Sequence, residues 1–283
     1  MKKEIEEAIK TKSAQFQSSG LIEKQWIDVT APGQKPVVGH LHPLTQVIRK
    51  AEEIFQSMGF VVIDGPEVEN EWYNFDALNV PQDHPAREMQ DTLFIKQKNR
   101  EVLPGREKLL MRTQTSAVQV RFMEMTQPPL RIIAPGRVFR HEATDASHEI
   151  NFYHLECLMV DKEISVANFK AIIKEFLSQF FKKPVNLRMR PSYFPFVAPG
   201  FEIDVNCLNC QGKGCPVCQK TGWVEMLGAG MVHPNVFKNA GLNPKDWQGF
   251  AFAIGLDRLA MLKYKINDIR LFYSGDLRFL KQF

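Results

Sequence analysis

No apolar run in the chain approaches the roughly 18 residues that a membrane-spanning helix needs, which excludes a helical membrane protein. The opening MKKEIEEAIK is too polar for a secretory signal peptide. Cysteine is scarce: five in 283 residues, four of them between Cys207 and Cys218 and the fifth, Cys157, alone. That distribution is not a disulfide framework, so a reducing, cytoplasmic setting is expected. Cys157, in HLECLMV, reads as a small buried apolar residue on a strand. Also missing is any G-x-x-x-x-G-K-[ST] stretch, which disfavours an ordinary P-loop nucleotidase. There is no internal repeat and no low-complexity tract, so solenoids and arrays are excluded. Strong charge is lacking too. A net charge of +4 permits a nucleic-acid partner without demanding one.

What remains is a globular composition, 44% apolar and 24% charged, long enough to bury a real core. Residues 1–25 are charged, with Ile5, Ala8 and Ile9 at helical spacing, and predict a short, partly exposed helix. DVTAPGQKPVVG (28–39), with its prolines and glycines, reads as an extended connector. One continuous domain, 26–283, is expected to follow. PLTQVIRKAEEIFQSMG opens on Pro, closes on Gly and carries Val47, Ile48, Ala51, Ile54, Phe55 and Met58 on one face, as a helix would. FVVIDGPEVE reads as a strand interrupted at Gly65-Pro66, and a second helix fits 116–125. LRIIAPGRVFRHE and NFYHLECLMVD read as two strands joined by a polar loop, 143–150. SVANFKAIIKEFLSQFF is an amphipathic helix, and NLRMRPSYFPF a strand running into an aromatic turn. GWVEMLGAGMVHP and GFAFAIGLDRLAMLKY complete the pattern, the second passing from strand to helix near Gly255. Strands come in runs rather than alternating with helices. The prediction is an α+β fold, an antiparallel sheet flanked by helices.

Three places can carry chemistry. In FRHEATDASHEINFYHLE, Arg140 and Glu142 share one strand face, as do Phe152, His154 and Glu156, because side chains alternate with period 2. A polar face on otherwise apolar strands is costly unless a ligand satisfies it; a solvated hairpin edge with scattered ion pairs is the other reading. In GFAFAIGLDRLAML, Arg258 stands at the mouth of a strand-to-helix turn, suited to a phosphate or carboxylate. An ion pair with Asp257 at the helix start would explain it equally well. Finally, Cys207, Cys210, Cys215 and Cys218 form two C-x-x-C pairs across QGKG, the spacing of a closed, structural zinc shell. Gly212 and Gly214 permit the tight backbone between the pairs. Four free thiols in a loop are the alternative, an unattractive one because exposed cysteines oxidise in pairs. FEIDVN before the cysteines and TGWVEMLGAGMVHP after them read as consecutive strands, so the clip, 207–218, replaces a hairpin loop.

GFVVIDGPEVE, GRVFRHEATDASHEINFYHLE and GFAFAIGLDRLAML resemble motifs 1, 2 and 3 of class II aminoacyl-tRNA synthetases. More narrowly, HPAREMQDT, RTQTSAVQVRFM, PPLRIIAPGRVFR, RPSYFPF and GAGMVHPNVF resemble the α subunit of bacterial phenylalanyl-tRNA synthetase. The likeness runs in the expected order from about Trp26 to Phe283.

The resemblance implies activation of L-phenylalanine by ATP to the adenylate, then transfer to tRNA(Phe). It implies that Arg140 steadies the α-phosphate and the attacking carboxylate and that Arg258 holds the γ-phosphate. Glu142 would read the adenine amino group, His148 would touch the phosphates and Phe152 would stack on the base. Ser116, Gln119, His154 and Glu156 would surround the ammonium and carboxylate of phenylalanine. Phe194 and Phe196 would pack on its ring, with Val197 and Ala251 closing the far end; taken alone, SYFPF would read as ordinary core. Mg²⁺ would arrive with ATP, and zinc would be structural. Implied partners are a β subunit, in an (αβ)₂ heterotetramer with motif 1 at the seam, and tRNA(Phe), with no membrane.

Some positions depart from the family pattern. Gln114 replaces a common histidine, His154 a common glutamine and Ala253 a common glycine; Ala198 stands where a glutamate usually helps to hold a magnesium ion. Relatives carry a long N-terminal helical hairpin that grips tRNA, against about 25 residues here. Weaker tRNA binding with intact adenylate formation is therefore expected. Two other readings stand beside this one: a class II-like ligase charging a non-tRNA acceptor, and a zinc-dependent nucleic-acid-binding module with an inactive core.

Overall fold

Pro43 occupies the first helical position, where its missing N–H costs nothing, and the His42 imidazole accepts from the Leu44 amide. That start belongs to the larger of two compact units, Met1–Gly39 and His40–Phe283. The computed structural model describes residues 1–18, 30, 33, 39–87, 92–96 and 108–283. In the first unit, α1 (Lys2–Ser18) is the expected exposed helix, with Ile5 55% and Ile9 63% exposed. The domain boundary expected at residues 25 and 26, most of the 28–39 connector and part of HPAREMQDT lie outside the described residues.

In the second unit, α2 (Pro43–Ser57) buries Leu44, Val47, Ala51, Ile54 and Phe55 along one stripe. The chain then forms β1 (Val61–Val62), breaks at Gly65-Pro66 and moves to a separate ribbon, β2 (Val68–Asn70) against β3 (Leu109–Met111). Between these, Asn70 caps α3 (Glu71–Asn74) by accepting from the Tyr73 amide at 3.0 Å. Next come α4 (Ala117–Met125), β4 (Leu130–Phe139) and β5 (Asn151–Asp161). Helix α5 (Val166–Phe181) starts in a capping box made by Ser165 and Asn168. Strands β6 (Leu187–Phe194), β7 (Val197–Asn206) and β8 (Trp223–Val232) form a meander, the cysteine clip joining the last two. After α6 (Pro234–Asn239), β9 (Gln248–Gly255) runs straight into α7 (Leu256–Tyr264), and α8 (Leu277–Leu280) closes the series.

Among the described residues seven strands make one sheet, ordered β1-β4-β5-β9-β8-β7-β6. All neighbours are antiparallel except β1 and β4, which run parallel. That edge pair is the one parallel contact in the expected antiparallel sheet among the described residues. The long crossover through the β2–β3 ribbon and α4 lets the chain return in the same direction, which a hairpin cannot do.

The two faces of the sheet are covered differently, and this places the site. Helices α2, α5 and α7 pack on one face around Phe55, Phe176, Phe250 and Phe252, with the Phe55 and Phe176 rings stacked at 4.5 Å. On the other face, Phe75, Leu78, Val120, Met123 and Phe237 cluster over Leu130, Ile132, Leu158, Val160, Val232 and Ala251. Farther along that face, His154, Glu156, Gly228 and Ala253 line a cavity. The strand register puts His154 opposite Gly136 and Gly255, and Glu156 opposite Ala134 and Ala253, so small residues flank both polar ones.

Gly136 is required for a second reason. The Arg112 guanidinium, 3% exposed, lies where a Cβ at Gly136 would stand; its Nε donates to the Arg137 carbonyl (2.7 Å) and its Nη1 to that of Gly65 (2.9 Å). Gly136→Ala is expected to destabilise the fold by about 2 kcal/mol, because a buried group held this way cannot yield. A urea melt beside wild type checks this; an unchanged midpoint would refute the packing argument.

Candidate active site

A cavity of about 2020 Å³ takes in part of the open face and also reaches Lys50, Phe180 and Lys263 of α2, α5 and α7. At its centre is Glu156, on β5 and only 3% exposed. Ser116 Oγ donates to one carboxylate oxygen and Gln119 Nε2 to the other, both at 2.6 Å. These donors stand three residues apart at the start of α4, hence on one side of it. Ser116 reaches the cavity wall, and Gln119, 2% exposed, supports Glu156 from beside it. Burial pushes the Glu156 carboxyl up to about 7, against the pull of its two hydrogen bonds.

Two residues earlier on the same face, burial and the charges of Arg140 and Arg112 push His154 down to about 3. The ring is therefore neutral at physiological pH. Its Nδ1 is shut off from solvent and has no hydrogen-bond partner, a cost that a bound polar group would relieve. Phe152 stands edge-on to His154 at 5.1 Å. The Arg140 guanidinium lies over the Phe152 ring at 5.2 Å, donates from Nε to the Thr113 carbonyl at 3.2 Å and stands 3.9 Å from Glu142. Arg140 and Glu142 follow the end of β4 rather than lying within it. On the loop beyond, His148 is exposed and its ring meets the Asp145 carboxylate at 3.1 Å.

At the far side of the floor, Phe194 and Phe196 stack with ring centres 6.0 Å apart, while Val197 and Ala251 are 5% and 3% exposed behind them. The slot exists because Gly228 has no side chain: a Cβ there would come within 3.0 Å of the Phe194 ring. Arg258, exposed in the first turn of α7, donates from Nη1 to the Glu225 carbonyl at 3.0 Å. The ion pair with Asp257 does not form. Asp257 is buried, accepting from the Tyr273 hydroxyl at 2.5 Å and the Tyr153 amide at 2.7 Å, which leaves Arg258 turned to the cavity.

The four clip sulfurs lie within 4.8 Å of one another, with Sγ separations of 3.7 Å (Cys207 to Cys215) and 3.8 Å (Cys218 to both Cys210 and Cys215). A tetrahedral zinc–thiolate shell has sulfur–sulfur edges of about 3.8 Å, so this cluster could hold a metal ion. Main-chain amides of Gly214, Cys215 and Gly222 point at these sulfurs, as thiolates favour. Gly212 and Gly214 both take positive φ, +84° and +89°, as the tight backbone demands.

Sequence reasoning missed some of the supporting residues. Arg112 is one. Another is fully buried Asn74, whose amide donates to Thr113 Oγ1 at 3.0 Å and whose backbone carbonyl accepts from Gln114 at 3.3 Å. The Asp257–Tyr273 pair is a third. Their partners are remote in the chain or hidden in a turn, so no local spacing reports them.

Fold and site together define a class II synthetase core, and the family model "tRNA synthetases class II core domain (F)" matches residues 26–283. The chain is 47% identical over 285 residues to a phenylalanine–tRNA ligase alpha subunit of Pseudomonas syringae, covering all of this chain and 81% of that one. It is 54% identical over 260 residues to the alpha subunit of Leptospira biflexa, covering 92% and 73%. It belongs to the phenylalanine–tRNA ligase alpha-subunit family. A solved pyrrolysyl-tRNA synthetase of Desulfitobacterium hafniense shares the fold at 16% identity, with a TM-score of 0.61 over 84% of this chain and 75% of the other. Among the described residues no helix is long and apolar enough to cross a membrane.

The raised Glu156 pKa has a stability consequence. The folded state keeps this proton to about 7, above the ordinary 4.5, so the fold loses stability as pH rises between those values. Glu156→Gln should remove that loss, amounting to at most about 3 kcal/mol. Urea melts of both proteins from pH 4.5 to 8 check this; parallel curves would refute it.

Proposed function

We infer that the chain is the catalytic subunit that activates L-phenylalanine with ATP and transfers it to tRNA(Phe). Its carrying observation is a single cavity that joins an aromatic slot, a buried carboxylate and two guanidinium groups. The phenylalanine ring would enter between Phe194, Phe196 and Val197, stopped by Ala251. Its ammonium would meet Glu156, which Ser116 and Gln119 orient, and the unpartnered Nδ1 of neutral His154 would supply a further acceptor. That arrangement leaves the substrate carboxylate free toward Arg140.

In the activation step a carboxylate oxygen of phenylalanine forms a bond to the α-phosphorus, and the bond to the pyrophosphate oxygen breaks. Arg140 would neutralise the charge that builds on the phosphoryl oxygens, and Arg258 that on the departing pyrophosphate, while His148 touches the phosphates. Phe152 offers a face to the adenine and Glu142 an acceptor for its amino group. No side-chain nucleophile is needed. Mg²⁺ would enter with ATP, held largely by phosphate oxygens; the carboxylates of Glu142 and Glu149 on the cavity wall are hard donors of the kind it takes.

Zinc fits the clip by donor type and by sulfur spacing. Bound by Cys207, Cys210, Cys215 and Cys218 in a closed shell, it would cross-link the two C-x-x-C turns. The clustered thiols suit a reducing compartment, the cytoplasm. We take 26–283 as the catalytic domain and a β subunit as its partner in an (αβ)₂ assembly. Val61 and Met125, 58% and 78% exposed near the Gly65-Pro66 turn, offer apolar surface for that contact.

Pyrophosphate exchange with each of the twenty amino acids, on this chain with its partner subunit, tests the reading; exchange that did not depend on phenylalanine would overturn it. Arg140→Ala is expected to lower the exchange rate by about 10²–10³-fold without unfolding the protein. Metal analysis of the purified chain should find one zinc per clip; less than half an equivalent, with freely titrating thiols, would exclude it.

A further inference from the structure

The cysteine clip borders the same cavity as the arginines. Cys207, Asn209, Cys218 and Trp223 line it together with Glu225 and Arg258. Arg258 is exposed, and its guanidinium is steadied by a main-chain group, the Glu225 carbonyl, at 3.0 Å. That carbonyl lies three residues beyond Gly222, and the clip holds Gly222 by both of its polar groups. The Gly222 amide points at Cys218 Sγ at 3.3 Å, and its carbonyl accepts from the Cys207 amide at 2.8 Å.

From there Trp223, Val224 and Glu225 pair in register with Asn206, Val205 and Asp204, and the ladder slips by one residue at Met226. The run 222–225 is thus tied to the clip at one end and to a bulge at the other. The Glu225 side chain is held too, since its Oε2 accepts from Arg190 Nη2 at 2.9 Å. Arg190 is in turn braced by Asp204, which is 2% exposed, at 2.8 and 3.0 Å. The aromatic slot is built on the same strands but beyond the bulge. Gly228 and Gly230 of β8 pair with Ala253 and Ala251 beyond the bulge, and Phe194 belongs to β6.

We propose that the metal-loaded clip, acting through the 222–225 run, positions Arg258 for the triphosphate, with Arg190 as a second positioning residue. This rests on the aminoacylation reading, in which Arg258 meets the terminal phosphate. Loosening the clip then weakens ATP and spares phenylalanine.

The test uses this chain in complex with its partner subunit and measures dissociation constants for Mg·ATP and for phenylalanine by calorimetry. Cys210→Ser, which removes one sulfur, is expected to raise the Mg·ATP constant about tenfold, the size of one lost charge-assisted hydrogen bond. The phenylalanine constant should change less than about twofold. In an Arg258→Ala background the same Cys210→Ser change should cost no more than about twofold, because the two act through one interaction. Equal losses for both ligands, a penalty that is additive with Arg258→Ala, or no loss after the metal has gone would each overturn the proposal.

Should Cys210→Ser fail to fold, Arg190→Met keeps all four sulfurs and frees Glu225 together with Glu202, which Arg190 Nη1 meets at 2.6 Å. It is expected to weaken Mg·ATP about threefold and to spare phenylalanine, with Arg190→Lys restoring part of the loss; an unselective or absent effect would refute it. A wild-type complex that bound phenylalanine and Mg·ATP but showed no clip dependence would sink this proposal alone. One that bound neither would sink the aminoacylation reading with it.

Discussion

A carboxylate buried in the middle of a sheet is the constraint around which this molecule is arranged. Glu156 occupies a strand position whose neighbours across the ladder are Ala134 and Ala253, so it has space but little water. Left alone it would be a costly defect. Ser116 and Gln119 answer one oxygen each at 2.6 Å, and those two bonds fix the start of α4 over the sheet. Burial still wins over the hydrogen bonds and holds the pKa near 7. A group in that state waits for a positive partner, and the ammonium of an amino acid is one.

The arginines divide into two kinds, and the difference is what surrounds the guanidinium. Arg112 is sealed in, donating to carbonyls of β4 and of the Gly65-Pro66 turn, and so joins the parallel edge strand to the centre of the sheet. It has no access to a ligand. Arg140 and Arg258 each donate to a main-chain carbonyl while lining the cavity. A buried arginine must spend its donors on the protein, while a half-exposed one keeps them for a phosphate. Charge placed on weak, fixed rests can shift to a transition state without rebuilding the fold.

The clip belongs to this scheme as a replacement for core. In the β7–β8 connection Leu208 packs on the core and the rest of the loop has few apolar side chains to hold its shape. Four sulfurs at metal spacing would supply that restraint once a metal joined them. β8 leaves the clip directly and carries the Glu225 carbonyl to which Arg258 donates.

Much of the fold was legible in the sequence because the signals are local. Pro and Gly at the ends of α2, the period-2 alternation of β5 and the switch of period at Gly255 each act within a few residues. The cysteine clip was legible for the same reason. Motif likeness carried the site residues, since spacing alone left Arg258 open between a phosphate ligand and a partner for Asp257. The parallel β1–β4 pair, Arg112, the Asn74–Thr113 network and the Asp257–Tyr273 bond were not legible. Each joins groups that are far apart in the chain or turned by the fold, and side-chain chemistry does not specify such partners.

What the sequence determined by itself was the inventory: an α+β chain, a two-sided sheet, an aromatic turn, a polar strand pair and four thiols at metal spacing. Only the tertiary structure decided which face of the sheet stayed open. That outcome depends on α2, α5 and α7 covering one side completely while the Phe75–Leu78 turn, α4 and α6 cover half of the other. The same packing brought Gln119 onto Glu156 and sent Asp257 to Tyr273 instead of Arg258. Burial and register are properties of the assembled layers, and they set which polar groups find protein partners and which remain for a substrate.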